Sequence, residues 1–222
     1  MRERYTAPHA WQLTPKEAIA LQKKLASQVI LNDDFGDIQT VAGVDVGFEE
    51  NSTITRAAIA VLSYPGLELI EHSIAKRPTS FPYIPGLLSF REVPAILDAL
   101  NTLASPPDML LCDGQGIAHP RRLGIACHLG LITQLPSIGV GKTRLTGRYG
   151  AVPTERGTWT KLEDKGEIIG AVLRSRPGVK PIYISPGHKI SLESAIEYTL
   201  NCTGRYKLPE TTRWAHKLAS NL

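Results

Sequence analysis

The run Val41-Ala42-Gly43-Val44-Asp45-Val46-Gly47-Phe48 constrains the fold of this chain more than any other stretch. It is short, rich in β-branched residues and without a 3.6-residue period, which predicts a buried strand rather than a helix. One carboxylate, Asp45, stands inside it. An ionised Asp in a dry strand is costly, so it needs a cation beside it or a place at the strand's wet end. Taken alone, Asp45 reads as an ordinary hydrogen-bonded Asp at a strand terminus.

A second stretch changes that reading. Asp108-Met109-Leu110-Leu111-Cys112-Asp113-Gly114 repeats the design of apolar strand, Asp, then Gly. If the two strands are neighbours in one sheet, Asp45 and Asp113 converge at its edge. Two carboxylates about 5 Å apart repel by about 3 kcal/mol at an effective dielectric near 20. An oxygen-seeking divalent cation such as Mg²⁺ relieves that repulsion, and the pair therefore favours a metal site.

The 222 residues suffice for one α/β domain with a real core, and no linker or low-complexity segment divides them. A single domain over 1–222 is expected, with 1–11 as a tail free to be disordered. No run of 18 apolar residues and no apolar segment behind a basic N-terminus occurs, so neither a membrane span nor a secretion signal is expected. Cys112, Cys127 and Cys202 are odd in number and lack metal-ligand spacing, which suits buried thiols in a reducing cytoplasm.

The net charge of +4 hides an asymmetry. Residues 1–114 carry 9 Lys/Arg against 14 Asp/Glu, whereas residues 115–222 carry 16 against 7. An acidic half with candidate metal ligands joined to a basic half suits an enzyme that cuts a polyanion, although an ordinary solvated surface gives the same numbers.

Thr14-Pro15-Lys16-Glu17 opens a helix with a capping box and Pro at its first position. Ala18, Leu21, Leu25 and Val29 form its apolar stripe, expected to pack on the sheet. Thr55–Tyr64 and Leu67–Arg77 flank Pro65-Gly66 as an antiparallel hairpin. Three consecutive strands with Asp on the first, then a helix, then an Asp-ending strand, is the opening of a ribonuclease H-like α/β fold. That fold has a mixed sheet, antiparallel over its first three strands and then parallel, flanked by helices.

Residues 78–94 hold Pro78, Pro82, Pro85, Gly86 and Pro94 with Phe81, Tyr83 and Phe90 between them. This proline density excludes a helix or a central strand, and the loop around Tyr83 and Ile84 is stiff and presents apolar groups outward. Single exposed aromatics are common, but one held between prolines suits a contact role. Ser89-Phe90-Arg91-Glu92 is also a capping-box pattern. Because Pro94 disfavours a helix already running through Glu92, Glu92 is expected at the start of a helix over Ala95–Leu103, either capping it or free as a third carboxylate.

Gly114-Gln115-Gly116-Ile117-Ala118-His119-Pro120-Arg121-Arg122 allows close backbone approach to a ligand and supplies phosphate donors. A helix over Leu123–Leu131 and a strand around Ser137–Val140 follow. Gly139-Val140-Gly141-Lys142-Thr143 resembles a nucleotide-binding loop, but Pro136 stands where that loop needs glycine, and Ile138 and Val140 read as the strand itself. Lys142 is instead a cation at a strand end, on the same edge as Asp113. Residues 143–167 are polar and expected to be irregular. Ile168–Leu173 and Pro181–Ser185 pair across Pro177-Gly178, Ser191 caps a helix, and the last helix begins at Pro209-Glu210 and carries Arg213, Trp214 and His216.

Pro82-Tyr83-Ile84-Pro85-Gly86, Phe90-Arg91-Glu92, Asp113-Gly114, His119-Pro120-Arg121-Arg122, Gly187-His188 and Arg213-Trp214-Ala215-His216 together resemble endonuclease V. The resemblance runs from about residue 12 onward. It implies a ribonuclease H-like, Mg²⁺-dependent nuclease acting on deoxyinosine, with Mn²⁺ expected to substitute. Such an enzyme hydrolyses the second phosphodiester 3′ to the lesion and leaves 3′-hydroxyl and 5′-phosphate ends. Asp45, Glu92 and Asp113 match the metal-binding and catalytic carboxylates, and His216 matches an active-site position that is His or Asp among members. Tyr83 matches the wedge that fills the gap left by the displaced base. Lys142 and His119 match polar residues beside the scissile phosphate. Pro82, Ile84, Pro85, Gly86, Leu88, Gly114, Arg121, Arg122 and Gly124 complete the expected substrate contacts. The partner implied is inosine-containing DNA, with RNA as the alternative, and the protein is expected to act as a monomer. A different ribonuclease H-like nuclease, which needs no aromatic wedge, and a non-catalytic inosine binder, which would lack a carboxylate, are the rival readings.

Overall fold

The computed structural model describes residues 3–220. Its first helix, α1 (Pro15–Ala26), starts as the sequence predicts: the Thr14 side chain accepts from the Glu17 N–H and the Glu17 carboxylate accepts from the Thr14 N–H at 2.7 Å. Three antiparallel strands follow, β1 (Thr40–Glu49), β2 (Ile54–Ser63) and β3 (Leu69–Pro78). Next come α2 (Leu88–Thr102), β4 (Met109–Asp113), α3 (Ile125–Thr133) and β5 (Ser137–Gly141). The chain closes with β6 (Trp159–Asp164), β7 (Glu167–Leu173), β8 (Ile182–His188), α4 (Leu192–Asn201) and α5 (Glu210–Ala219).

The eight strands form one sheet in the order β3-β2-β1-β4-β5-β8-β7-β6, with β4 parallel to both β1 and β5 and the other pairs antiparallel. This is the expected mixed, ribonuclease H-like sheet. Alternation along β1 and β4 assigns their two faces. Ala42, Val44, Leu110 and Cys112 pack with α2 and α3, whereas Val41, Met109 and Leu111 pack with residues of β7, β8, α4 and α5. Asp45 and Asp113 fall on the second face, continuing the series 41, 43, 45 and 109, 111, 113. Among the described residues no helix is long and apolar enough to cross a membrane.

Four expectations need correction. α2 begins at Leu88 and contains both Glu92 and Pro94. A proline inside a helix costs about 3 kcal/mol, but Phe90, Val93, Ile96, Leu97 and Leu100 are all buried by this arrangement, each contributing roughly 1.5–3 kcal/mol. The apolar stripe of α1 does not rest on the sheet, because α2 and α3 already cover that face. Ala18 packs instead with Phe81, Leu87 and Phe90, and Leu25 with Ile117, Leu123 and Cys127. The polar stretch 143–167 contains β6, an edge strand paired with β7. Finally, residues 3–11 of the expected loose tail are docked: Tyr5 is buried and exchanges two hydrogen bonds with the Asn101 side chain at 2.8 and 2.9 Å. Residues 1–2 lie outside the described residues.

His9 of this arm meets His128 of α3 at 2.8 Å between their Nε2 atoms, and the His128 Nδ1 lies 2.9 Å from the Ser89 hydroxyl. Burial, and secondarily the charge of His9, push His128 down to about 3. A base whose folded pKa lies below its unfolded value holds fewer protons when folded, so its contribution to stability is complete above the unfolded pKa near 6.5 and is lost as pH falls toward the folded one. Each pH unit in that window is worth about 1.4 kcal/mol per group. Wild type is therefore expected to lose roughly 2 kcal/mol more than His128→Asn between pH 6.5 and 5, read by urea unfolding. Parallel losses in the two proteins would refute a neutral buried His128.

Candidate active site

The β1–β4 ladder ends at the pair Val44↔Cys112, so Asp45 and Asp113 each stand one residue beyond its last rung, at the carboxyl-side end of the parallel ladder, while β1 itself runs on to Glu49 beside β2. Ligand sites of open α/β sheets form at such ends. The third group, His216, comes from α5, and its approach depends on two glycines. A Cβ on Gly43 would lie 1.9 Å from the Thr211 carbonyl oxygen, and one on Gly47 would lie 2.5 Å from that of Ala219. The helix therefore lies directly on the backbone of β1 and delivers the His216 Nδ1 to within 2.7 Å of the Asp45 carboxylate.

Asp45, Asp113 and His216 each place one ligand atom within 4.8 Å of the others. Lys142, one residue beyond β5, donates to the Asp113 carboxylate. Burial raises the Asp45 pKa, the Asp113 charge raises it further, and the His216 contact and the Val46 N–H at 2.8 Å oppose the rise. Glu92 reaches the same centre from α2, on the other side of the sheet. It is outside the tight cluster but close enough that burial, then the charges of Asp45 and Asp113, push its pKa up to about 8. The α2 N-cap is Leu87, with no side-chain capping bond, so Glu92 is a third carboxyl beside the first two rather than a cap. Clustered carboxyl groups, with the charge of Asp113 raising both Asp45 and Glu92 and an imidazole at their edge, fit a hard divalent cation, whose charge removes the repulsion.

A cavity of about 300 Å³ opens beside this centre. Tyr83, Ile84, Pro85, Gly86, Leu88, Gly114, His119 and Gly124 all line it, which unites most of the expected substrate contacts in one place. Ile84-Pro85-Gly86-Leu87 is a turn closed by the Leu87 N–H on the Ile84 carbonyl at 2.9 Å, with Gly86 at φ +79°. Proline at the second position and a positive-φ glycine at the third are what a type II turn demands. The turn leaves Tyr83 70% exposed at the cavity mouth. Pro82 is exposed and does not line the cavity. Gln22, Ser89, Gln115 and the Thr143–Leu145 segment also line it and were not anticipated. Gln115 was visible within the glycine-rich loop, and Thr143 within the stretch considered for nucleotide binding. Gln22 gave no signal beyond its place in an amphipathic helix.

His119, Arg121 and Arg122 are not placed as free phosphate donors. His119 is buried, and desolvation, then the Arg121 charge, hold it down to about 4. Arg121 donates to the Gln22 side chain and to the Gly86 carbonyl at 2.6 Å. Arg122 pairs with Asp164 at 3.0 Å and Glu167 at 2.8 Å, and donates to the His119 carbonyl at 2.9 Å. Arg122→Gln is therefore expected to lower stability by about 1–3 kcal/mol, the cost of leaving partly buried partners unmatched, while the slope of log binding constant against log salt stays at the wild-type value. A slope flattened by about one unit would instead make Arg122 a phosphate contact.

The endonuclease V family model matches residues 23–217. The chain belongs to the endonuclease V family. The endonuclease V of Trichormus variabilis is 61% identical over 215 residues, covering 96% of this chain and 97% of that protein. The crystal structure of the Streptomyces avermitilis endonuclease V superposes with a TM-score of 0.91 at 41% identity, covering 96% of this chain and 95% of the other. The Ciona intestinalis endonuclease V, solved with a 24mer DNA containing an inosine followed by a ribo-adenosine, gives a TM-score of 0.81 at 28% identity, over 93% of this chain and 96% of that one. The endonuclease V family is one of nucleases, and a clustered set of carboxyl groups at a sheet edge suits phosphodiester hydrolysis.

Proposed function

We propose that this chain is a Mg²⁺-dependent endonuclease that recognises deoxyinosine in DNA and hydrolyses the second phosphodiester on the 3′ side of the lesion. The observation that carries the reading is the adjacency of the Asp45–Asp113–His216 cluster and the cavity behind Tyr83. One element suits a divalent ion and the other a base removed from its stack. The Ciona intestinalis relative, bound to inosine-containing DNA, supports the same substrate class.

An apolar cavity of about 150 Å³ holds a benzene ring, so one of about 300 Å³ has room for a bicyclic base. Hypoxanthine differs from adenine by an oxygen in place of an amino group. The cavity is walled in part by Gly114, Gly124 and Ile125, and no side chain caps α3, which starts there. First-turn N–H groups of a helix favour an acceptor oxygen over an amino group. Tyr83 fills the space that an extruded base leaves in a duplex.

Asp45 and Asp113, with Glu92 or His216, would hold the ion, which supplies charge neutralisation on the phosphate and lowers the pKa of water. The chain's own groups do the rest. Lys142 brings an ammonium to the edge where charge develops on the phosphate oxygens. The Asp45 carboxylate and the Val46 N–H fix the orientation of one another, and the Asp45–His216 contact positions the imidazole at the centre's exposed side. Glu92, raised by burial and then by the charges of Asp45 and Asp113, is a further carboxyl whose ionised form a bound cation would favour.

The test is cleavage of matched inosine-containing single-stranded DNA, duplex DNA and RNA in Mg²⁺, Mn²⁺ or chelator, with the cut position mapped. A single nick at the second 3′ phosphodiester, absent in chelator, is expected on DNA. Cutting of an RNA–DNA hybrid without regard to inosine would overturn the proposal.

A further inference from the structure

The carbonyl oxygen of Gly86 collects three donors from two distant parts of the chain. Gln22 Nε2 on α1 donates at 2.9 Å, His119 Nε2 lies at 3.0 Å and Arg121 Nη2 donates at 2.6 Å. The three are also bonded to one another. Arg121 Nε donates to the Gln22 side-chain oxygen, and the Arg121 N–H donates to His119 Nδ1 at 3.1 Å. That last bond leaves His119 Nδ1 as an acceptor, so the neutral ring carries its proton on Nε2 and aims it at Gly86. Gln22 is 1% exposed, and its second amide hydrogen reaches the Leu123 carbonyl at 3.2 Å.

Gln22 and His119 are buried, and Arg121 and Gly86 are half-buried. Buried polar groups that satisfy each other form a stiff unit, because each loss leaves a partner unpaired. Three of its bonds converge on the residue three positions after Tyr83, inside the turn that presents that ring. A Cβ on Gly86 would lie 2.7 Å from Arg121 Nη2, so a side chain there would push the guanidinium away from the carbonyl, besides being strained at φ +79°. Gln22, Gly86, His119 and Leu123 all line the cavity too. The network therefore ties the Tyr83 loop to the cavity wall.

We propose that Gln22, with Arg121 and His119, is a positioning residue that holds the Tyr83 loop at a fixed distance from the base cavity and so governs reading of the lesion in duplex DNA. This rests on the reading of Tyr83 as a wedge given above. A wedge matters where extrusion leaves a partner base behind, and matters little in a single strand.

The experiment compares single-turnover cleavage of the same inosine site in duplex and in single-stranded DNA. Gln22→Met removes the whole contact. Gln22→Glu keeps the acceptor for Arg121 and removes the donor to Gly86, and Gly86→Ala displaces Arg121. In each variant the duplex rate is expected to fall about tenfold relative to the single-strand rate, as loss of one buried hydrogen bond predicts. A duplex-to-single-strand ratio equal to wild type, whether both rates hold or fall together, would overturn the proposal. So would failure of all three variants to fold, since the network would then serve stability alone. If wild type leaves inosine uncut in both substrates, it is the reading of the function that fails; if wild type cuts and the ratio stays fixed, the clamp fails by itself.

Discussion

Cleavage by Asp45→Asn and by Asp113→Asn is expected to fall by roughly 1,000-fold or more, because each removes a charge from a site whose cation supplies several kcal/mol of transition-state stabilisation. Both side chains stand just beyond the β1–β4 ladder and neither lines the base cavity, so affinity for inosine-containing DNA should survive. Stability without metal should also survive in Asp45→Asn. Burial and the Asp113 charge disfavour the ionised form of Asp45, and a neutral amide escapes both. The two variants should differ from each other in one respect: Asp113→Asn also frees Lys142 from its ion pair. Turnover in Mg²⁺, lesion binding by gel shift and urea unfolding give the three readouts. Near-normal turnover by either variant would remove the metal-site assignment, and loss of binding in parallel with turnover would move these carboxylates into the recognition surface.

Tyr83→Ala should weaken binding to inosine-containing duplex by about 5- to 150-fold, the equivalent of the roughly 1–3 kcal/mol that stacking of one base on an aromatic ring supplies. The ring is 70% exposed and contributes little to folding, so the melting temperature should hardly move. Undamaged duplex, held mainly through its phosphates, should be affected far less. Equal weakening on both duplexes, or a variant that does not fold, would show that Tyr83 is a backbone contact or a packing residue. The comparison with Gln22→Met is informative. Removing the ring and loosening its support should act on the same duplex step, and the double variant should lose less than the sum of the two.

How much of this was legible in the sequence follows from how local each signal is. Asp45 and Asp113 announced themselves because a carboxylate inside an apolar strand is costly wherever the strand lies. Tyr83 did so because prolines on both sides restrict it without help from the rest of the fold. His216 had no such signature. A single His on an amphipathic helix resembles any surface His, and only the resemblance to a family singled it out. Its contact with Asp45 spans 171 residues and depends on the missing side chains of Gly43 and Gly47. The arginines failed in the opposite sense. Arg121 and Arg122 beside a glycine-rich loop suggested phosphate, but their partners are Gln22 on a distant helix and Asp164 and Glu167 on the hairpin of β6 and β7. One of those strands, β6, was expected to be irregular, so the acids that hold Arg122 could not be placed. Pro94 misled because its local penalty is real, and only the burial of α2's apolar residues outweighs it.

The seating of α5 on the bare backbone of β1 also bears on the order in which the site is assembled. Asp45, Glu92 and Asp113 leave the ribosome in that order, and β1 and β4 can pair as soon as both have emerged. The imidazole that contacts Asp45 is encoded 171 residues after it. Until that helix arrives, the stripe of Gly43, Asp45 and Gly47 faces open water with no layer above it, and the carboxylates are strongly hydrated. A nascent chain therefore carries the acidic part of a nuclease without its finished centre. The docking of α5 closes the site, and it closes one face of the core in the same movement. Completion of the candidate site and closure of that face of the core are thus tied to a single docking event.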